Sequence, residues 1–364
     1  MLFTYKYLDH DIVNLQKWID FLFINVWCEA QSEFSFELFN GCKDFKAILE
    51  KEAWKEVSDE KSEKAKKRKK AIDHLTGPIS VIYDIFKDEL TPYQRQKLKN
   101  WYSVNKRLDN ICAAKKSFKP ITKKDLSKIS KNLAKQLYDF HISLYTSVLD
   151  LAIIRNQNGT LENHYQEFVK KNNKGVCPFC GIEPLQSYEM KGHEAYDHYL
   201  PKENYPLFAI NFRNLVPTCQ KCNSKEKSRK SPILKKGKSY PTKCLFPYSK
   251  TNPVIDIQIS VNIRNYTFYE HKHLSINFKT NKATKEVSNW WHMYGLEMRY
   301  KDVLTNNSIG GKYWLVELLD EITDPEEREK ILDKLPQKLE NSKFKGQNFL
   351  KVPFLQACRA EGLF

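Results

Sequence analysis

Cys177-Pro178-Phe179-Cys180 and Cys219-Gln220-Lys221-Cys222 enclose Asp197-His198-Tyr199-Leu200-Pro201 and Asn214-Leu215-Val216-Pro217, and Asn223 follows the last cysteine directly. Two residues between cysteines let both thiolates of a pair turn toward one ion. Two such pairs supply the four sulfurs that close a tetrahedral zinc site. Gly181 follows the first pair, where a knuckle needs an unhindered backbone. A closed four-sulfur site has no open position for substrate. The expected role of Cys177, Cys180, Cys219 and Cys222 is therefore to hold structural Zn²⁺ and fold the module, and any chemistry belongs to the residues between them.

Those residues suit phosphodiester hydrolysis, which needs activated water, a cation on the phosphoryl oxygens and help for the leaving oxygen. The imidazole of His198 has a near-neutral reference pKa and can accept the proton of water. Asp197 is a hard oxygen ligand for Mg²⁺ or Mn²⁺, and Asn223 offers a neutral carbonyl oxygen from the first turn of a helix. Adjacent strand residues point to opposite faces, so Asp197 and His198 serve one site only if the strand bends. A turn at Pro201 is consistent with that.

The pattern resembles the HNH endonucleases: an Asp-His before two apolar residues and a proline, an asparagine before an apolar strand, and a final His or Asn in a helix. The resemblance covers residues 175–232 and rests on Asp197, His198, Asn214, Asn223 and the two knuckles. It implies two strands and a helix around one catalytic metal. His198 is then the general base, Asp197 and Asn223 hold the ion, and Asn214 fixes the loop that aims His198. The lysine usual three residues after the final Asn is replaced by Glu226, with Lys225 and Lys227 on either side.

Around this module the chain changes character. Residues 1–158 read as a helical N-terminal domain. Leu15, Trp18, Ile19 and Leu22 share one helical face. Thr91-Pro92 opens a helix running to about Cys112. Thr122 and Asp125 start another, whose apolar stripe reaches about Ile154 before Asn158-Gly159. The charged run 59–71 reads as a solvated helix or mobile loop. Residues 159–250 form the zinc-knuckle module. Within 251–364, the alternation of Ile255, Ile257, Ile259 and Val261 with polar residues predicts a strand. It pairs with a second through Leu274–Phe278. Helices follow, with Pro325, Pro336 and Pro353 as breaks. Asn289-Trp290-Trp291-His292 and the residues to Tyr300 read as a helix packed on the nuclease core, its tryptophans plain core. The fold class expected is α+β: mostly helical flanks around a small ββα-metal (HNH) module, with a β-hairpin after it.

The 364 residues carry a formal charge of +16. That favours a polyanion, nucleic acid before an anionic membrane surface. Lys221, Lys225, Lys227, Arg229 and Lys230, with Lys235 and Lys236, cluster after the second knuckle as candidate phosphate contacts, and Arg213 joins them. Nine cysteines, five of them scattered, fit a reducing compartment. With no signal peptide and no spanning segment, the expectation is a cytoplasmic protein without membrane insertion. The layout resembles the HNH nucleases of anti-phage defence systems such as type II Zorya, Septu and retron-associated effectors, which implies partner proteins. The expected function is a metal-dependent endonuclease acting on DNA, double-stranded foremost, that nicks one strand as a monomer. Two further readings stand beside it. One is a zinc-ribbon nucleic-acid-binding protein without catalysis. The other is a nuclease inhibited by its own flanks until activated.

Overall fold

The computed structural model describes residues 1–54, 74–104, 106–234, 241–264 and 269–364. The charged run 59–71 and the lysines at 235 and 236 lie outside these residues. Two apolar cores organise the chain, and the module between the knuckles touches both.

The first core is built by the N-terminal helices. Leu15, Trp18, Ile19 and Leu22 are all buried, on Asn14–Phe21 and the π-turn Leu22–Trp27 that continues it. Thr91 caps Pro92–Val104, its hydroxyl accepting the Gln94 N–H at 3.2 Å. That helix ends at Val104 and not at Cys112; Leu108–Cys112 is a separate short helix. The expected Thr122–Asp125 capping box is present, yet it caps only Lys123–Ser127. Ser130 then caps a second helix, Lys131–Thr146, by accepting the Leu133 N–H at 3.2 Å. A further break precedes Ala152–Asn158, which stops at Gly159 with φ +76°. The stripe of Leu126, Leu133, Leu137 and Phe140 is buried as expected, on two helices where one was predicted.

The second core joins the C-terminal half to the first eight residues. Met1, Leu2, Phe3 and Tyr5 pack there, and the Leu2 N–H reaches the carbonyl of Pro178 in the first knuckle at 2.9 Å. The expected hairpin is present. β3 (Ile255–Val261) pairs antiparallel with β4 (Leu274–Thr280), Ile255 opposite Thr280 and Val261 opposite Leu274. Its buried face packs on Asn348–Ala360.

The prolines correct the sequence reading. Pro325 opens Pro325–Ser342 at its first turn, but Pro336 sits inside that helix and Pro353 inside Asn348–Ala360. A proline lacks the N–H that would bond four residues back. At Pro336 the orphaned carbonyl is that of Leu332, and the Gln356 amide of the neighbouring helix donates to it at 3.0 Å. Trp290, Trp291 and Leu296 are core, as expected. Trp290 donates its indole N–H to the Phe179 carbonyl at 3.0 Å, and Tyr294 stacks on Phe179 with centroids 4.7 Å apart. The Trp-Trp helix thus clamps the first knuckle. Among the described residues no single helix is long and apolar enough to cross a membrane.

Candidate metal centre and active site

Cys177, Cys180, Cys219 and Cys222 are all buried, and their sulfurs lie within 4.8 Å of one another. Gly181 turns the first knuckle with φ +70°, and its N–H bonds the Cys177 carbonyl at 2.7 Å. Four converging thiol sulfurs with no other ligand type suit Zn²⁺ and offer it no open position. The cluster also has a cation that spacing did not disclose. Arg299 is 3% exposed, and its Nη1 donates to the Cys222 sulfur at 3.1 Å. Four thiolates around Zn²⁺ carry net negative charge, which a buried guanidinium offsets.

Between the knuckles, β1 (Tyr196–His198) pairs antiparallel with β2 (Leu215–Pro217), setting Asp197 opposite Val216 and His198 opposite Leu215. Asn214 precedes β2 and is fully buried. Its Oδ1 accepts the Leu200 N–H at 2.7 Å, and its Nδ2 donates to the carbonyls of Leu200 at 3.0 Å and Phe208 at 3.3 Å. One amide therefore fastens the chain just past His198 to the turn that carries Ala209.

The Ala209 carbonyl lies 2.9 Å from His198 Nε2. A carbonyl only accepts, so Nε2 carries the proton and Nδ1 keeps its lone pair. Burial brings the imidazole down to about 3. The nearby Lys202 ammonium adds to this, the Ala209 bond opposes it, and Lys227 contributes last. His198 is thus neutral at physiological pH. Tyr145, from the N-terminal helix Lys131–Thr146, packs edge-on to the His198 ring at 4.5 Å, and Lys202 lies 4.8 Å from the centre of the Tyr145 ring. Nothing in the motif pointed to Tyr145, which stands more than fifty residues upstream.

Asp197 is 2% exposed, and its Oδ1 accepts from Lys227 Nζ at 2.9 Å. The same ammonium donates to the His198 carbonyl at 2.8 Å. Lys227 was expected to reach phosphate. It is fully buried instead, so the surface role assigned to it is not the one it has here. The reason is local. Lys221–Lys227 is a π-turn, in which the Ser228 N–H reaches back to the Asn223 carbonyl at 2.8 Å. The wider turn brings a residue four places beyond Asn223 nearly a full turn round, so Lys227 aims back at β1. Burial pushes the Asp197 carboxyl above its ordinary range, and Lys227 pulls it partway back.

Asp197 Oδ2 is buried and has no hydrogen-bond partner. A buried carboxylate oxygen left unpaired is costly unless a cation meets it, so the donor set fits a hard divalent ion here. Asn223 is half-buried on the π-turn that carries Lys227. Lys225, Arg229, Lys230 and Arg213 are exposed and Lys221 half-exposed.

Two curated proteins resemble part of the chain. The Septu protein PtuB of Bacillus thuringiensis is 38% identical over 66 residues, 17% of this chain and 24% of that protein. Protein ea31 of Escherichia phage lambda is 32% identical over 76 residues, 21% of this chain and 23% of that protein. The match thus spans about a quarter of either relative's length. No family profile and no solved structure matches.

Proposed function

We propose that the chain is a divalent-metal-dependent endonuclease of the HNH kind, cutting DNA. The observation that carries this reading is a buried His198 whose Nε2 proton is committed to the Ala209 carbonyl, so that Nδ1 keeps its lone pair, next in sequence to an Asp197 carboxylate with one oxygen unpaired. His198 Nδ1 takes the proton of the attacking water. Asn214 holds the loop that aims it. Asp197 Oδ2 and Asn223 would hold Mg²⁺ or Mn²⁺, which would neutralise charge developing on the phosphoryl group. Lys221, Lys225, Arg229, Lys230 and Arg213 are free to meet the backbone of the substrate. The stretch shared with the Septu protein PtuB supports a place in anti-phage defence, with partner proteins of that system. One site cuts one strand, so the product of a monomer is a nick.

One observation favours a second reading, a zinc-stapled nucleic-acid-binding protein without catalysis: Lys227 already neutralises the carboxylate that an ion would use. Relaxation of supercoiled plasmid separates the two. The expected result is open circles with Mg²⁺ or Mn²⁺, none with EDTA, and none from His198→Ala. Plasmid that stays supercoiled with every ion, while still retarded on a gel, would exclude cutting by the full chain and leave the binding reading and the self-inhibited one, which trimming the flanks separates.

A further inference from the structure

Two adjoining cavities of about 490 and 360 Å³ share Asp109, Phe246 and Ser249 in their walls and so form one trough. The first is lined by Lys106, Arg107, Arg213 and Lys250, and the second adds Lys243 and Lys282. Against these six cations stand only the carboxylates of Asp109 and Glu286. Lys106 is paired with Asp20 at 3.0 Å, and Arg107 lies 4.0 Å from Asp109. Among the described residues Arg213, Lys243, Lys250 and Lys282 form no ion pair, and Arg213, Lys243 and Lys250 are exposed. An uncompensated row of cations in a concave wall raises a positive field that a polyanion relieves.

The wall is also aromatic. Phe246 is half-buried and faces both cavities; Tyr248 lies beside it, with centroids 6.0 Å apart. Arg213 lies over Tyr7 at 4.4 Å, and Tyr7 packs edge-on to Tyr248. Cations along a narrow groove with an aromatic face are the features that hold one nucleic-acid strand, phosphates on the cations and a base against the ring. Cavities of about 490 and 360 Å³ are too small to take in the body of a duplex. The trough is tied to the site. Arg213 directly precedes Asn214, and the Tyr248 hydroxyl donates to the Leu215 carbonyl, in the residue opposite His198.

We propose that this trough binds a single-stranded stretch of nucleic acid. It rests on the endonuclease reading only in making that stretch part of the substrate. The test is fluorescence anisotropy with a labelled single-stranded oligonucleotide and the full chain, without added Mg²⁺ or Mn²⁺, so that binding is read apart from cutting. One variant carries Arg213→Ala, Lys243→Ala, Lys250→Ala and Lys282→Ala. A control removes the same charge from exposed positions elsewhere, Lys131→Ala, Lys135→Ala, Lys334→Ala and Lys338→Ala.

The trough variant should bind at least tenfold more weakly. The slope of its log affinity against log salt should fall by about three, since each phosphate contact on a single strand contributes roughly 0.7. The control should stay within about twofold of wild type. Equal losses in both variants would overturn the proposal, as would a wild-type chain that binds no strand. A duplex bound as tightly as the strand, and weakened as much by the trough variant, would overturn it too. A wild-type chain that binds the strand through the trough but nicks no plasmid would count against cutting by the full chain and leave the trough proposal standing.

Discussion

Lys227 should be the most destabilising surface-module lysine to remove, although the sequence placed it on the nucleic-acid face. Its ammonium makes two buried bonds, to Asp197 Oδ1 at 2.9 Å and to the His198 carbonyl at 2.8 Å, and the Lys227 and Asp197 side chains are at most 2% exposed. Lys227→Ala leaves a carboxylate and a carbonyl without a donor in the interior. Each unsatisfied group costs about 1–3 kcal/mol, and breaking a buried pair by removing one partner costs about 3–5 kcal/mol in all. The second figure is the better guide, because the stranded group is a charge. Adding Asp197→Asn removes that charge and should return much of the loss, so the two substitutions should couple by at least about 1 kcal/mol. Thermal unfolding of the zinc-loaded chain at pH 7, for wild type, both single variants and the double variant, reads this directly. A Lys227→Ala chain melting within a degree of wild type would refute the reasoning. So would a double variant less stable than the sum of the singles.

Other expectations follow from the same packing. Arg299→Met removes the cation beside Cys222 and should speed zinc loss to a colorimetric chelator by about tenfold or more, whereas Arg299→Lys should lose less; equal release rates would deny the guanidinium a role at the cluster. Burial lowers His141 to about 4 and His164 to about 3, so both remain neutral when folded. Their contribution is complete above the unfolded value near 6.5 and is lost as pH falls below it, by roughly 2 kcal/mol each at pH 5. His141→Gln should therefore flatten the acid limb of stability by about one proton between pH 5 and 6, and an unchanged limb would contradict this. Asn214→Ala removes three buried bonds around Leu200 and Phe208, at about 2–4 kcal/mol, and should cut plasmid nicking at least tenfold at a temperature where the variant is folded. Wild-type nicking by that variant would remove Asn214 from the site.

What the sequence disclosed divides along a physical line. The cysteine pairs and the β3–β4 alternation were readable because each depends on spacing within a few residues: two thiols in one knuckle, or every second residue on one face. The Asp-His and Asn positions stand on the same short-range spacing, and their catalytic roles belong to the proposal. Helix ends were less so. The break before Lys131–Thr146 is marked only by Ser130, whose third residue on is Leu133, so no reciprocal box announces it. Pro336 was misread because its missing bond is replaced by Gln356, a residue of another helix. Lys227, Tyr145 and Arg299 were invisible for a stronger reason. Each acts across the fold, and Lys227 also depends on a π-turn that shifts its direction by one residue.

That same line bears on self-inhibition by the flanks. If they merely covered the site, a fragment beginning near residue 159 would fold and cut freely. The core argues otherwise. Tyr196 of β1, Leu215 of β2, and Leu207, Ile210 and Phe212 between them are buried in the N-terminal apolar core. The His198 ring rests on Tyr145 from that half. The chain's second core also draws on this half, since Leu2 bonds the first knuckle through Pro178 and Tyr5 packs against Phe168 with centroids 4.7 Å apart. Trimming residues 1–158 would expose these apolar groups together and take away one wall of the imidazole. The fragment should therefore aggregate or lose zinc on purification, and show no more nicking per molecule than the full chain. A soluble, zinc-loaded fragment that nicks faster than the full chain would restore the inhibited reading, and would mean that the flanks restrain the strands they pack against.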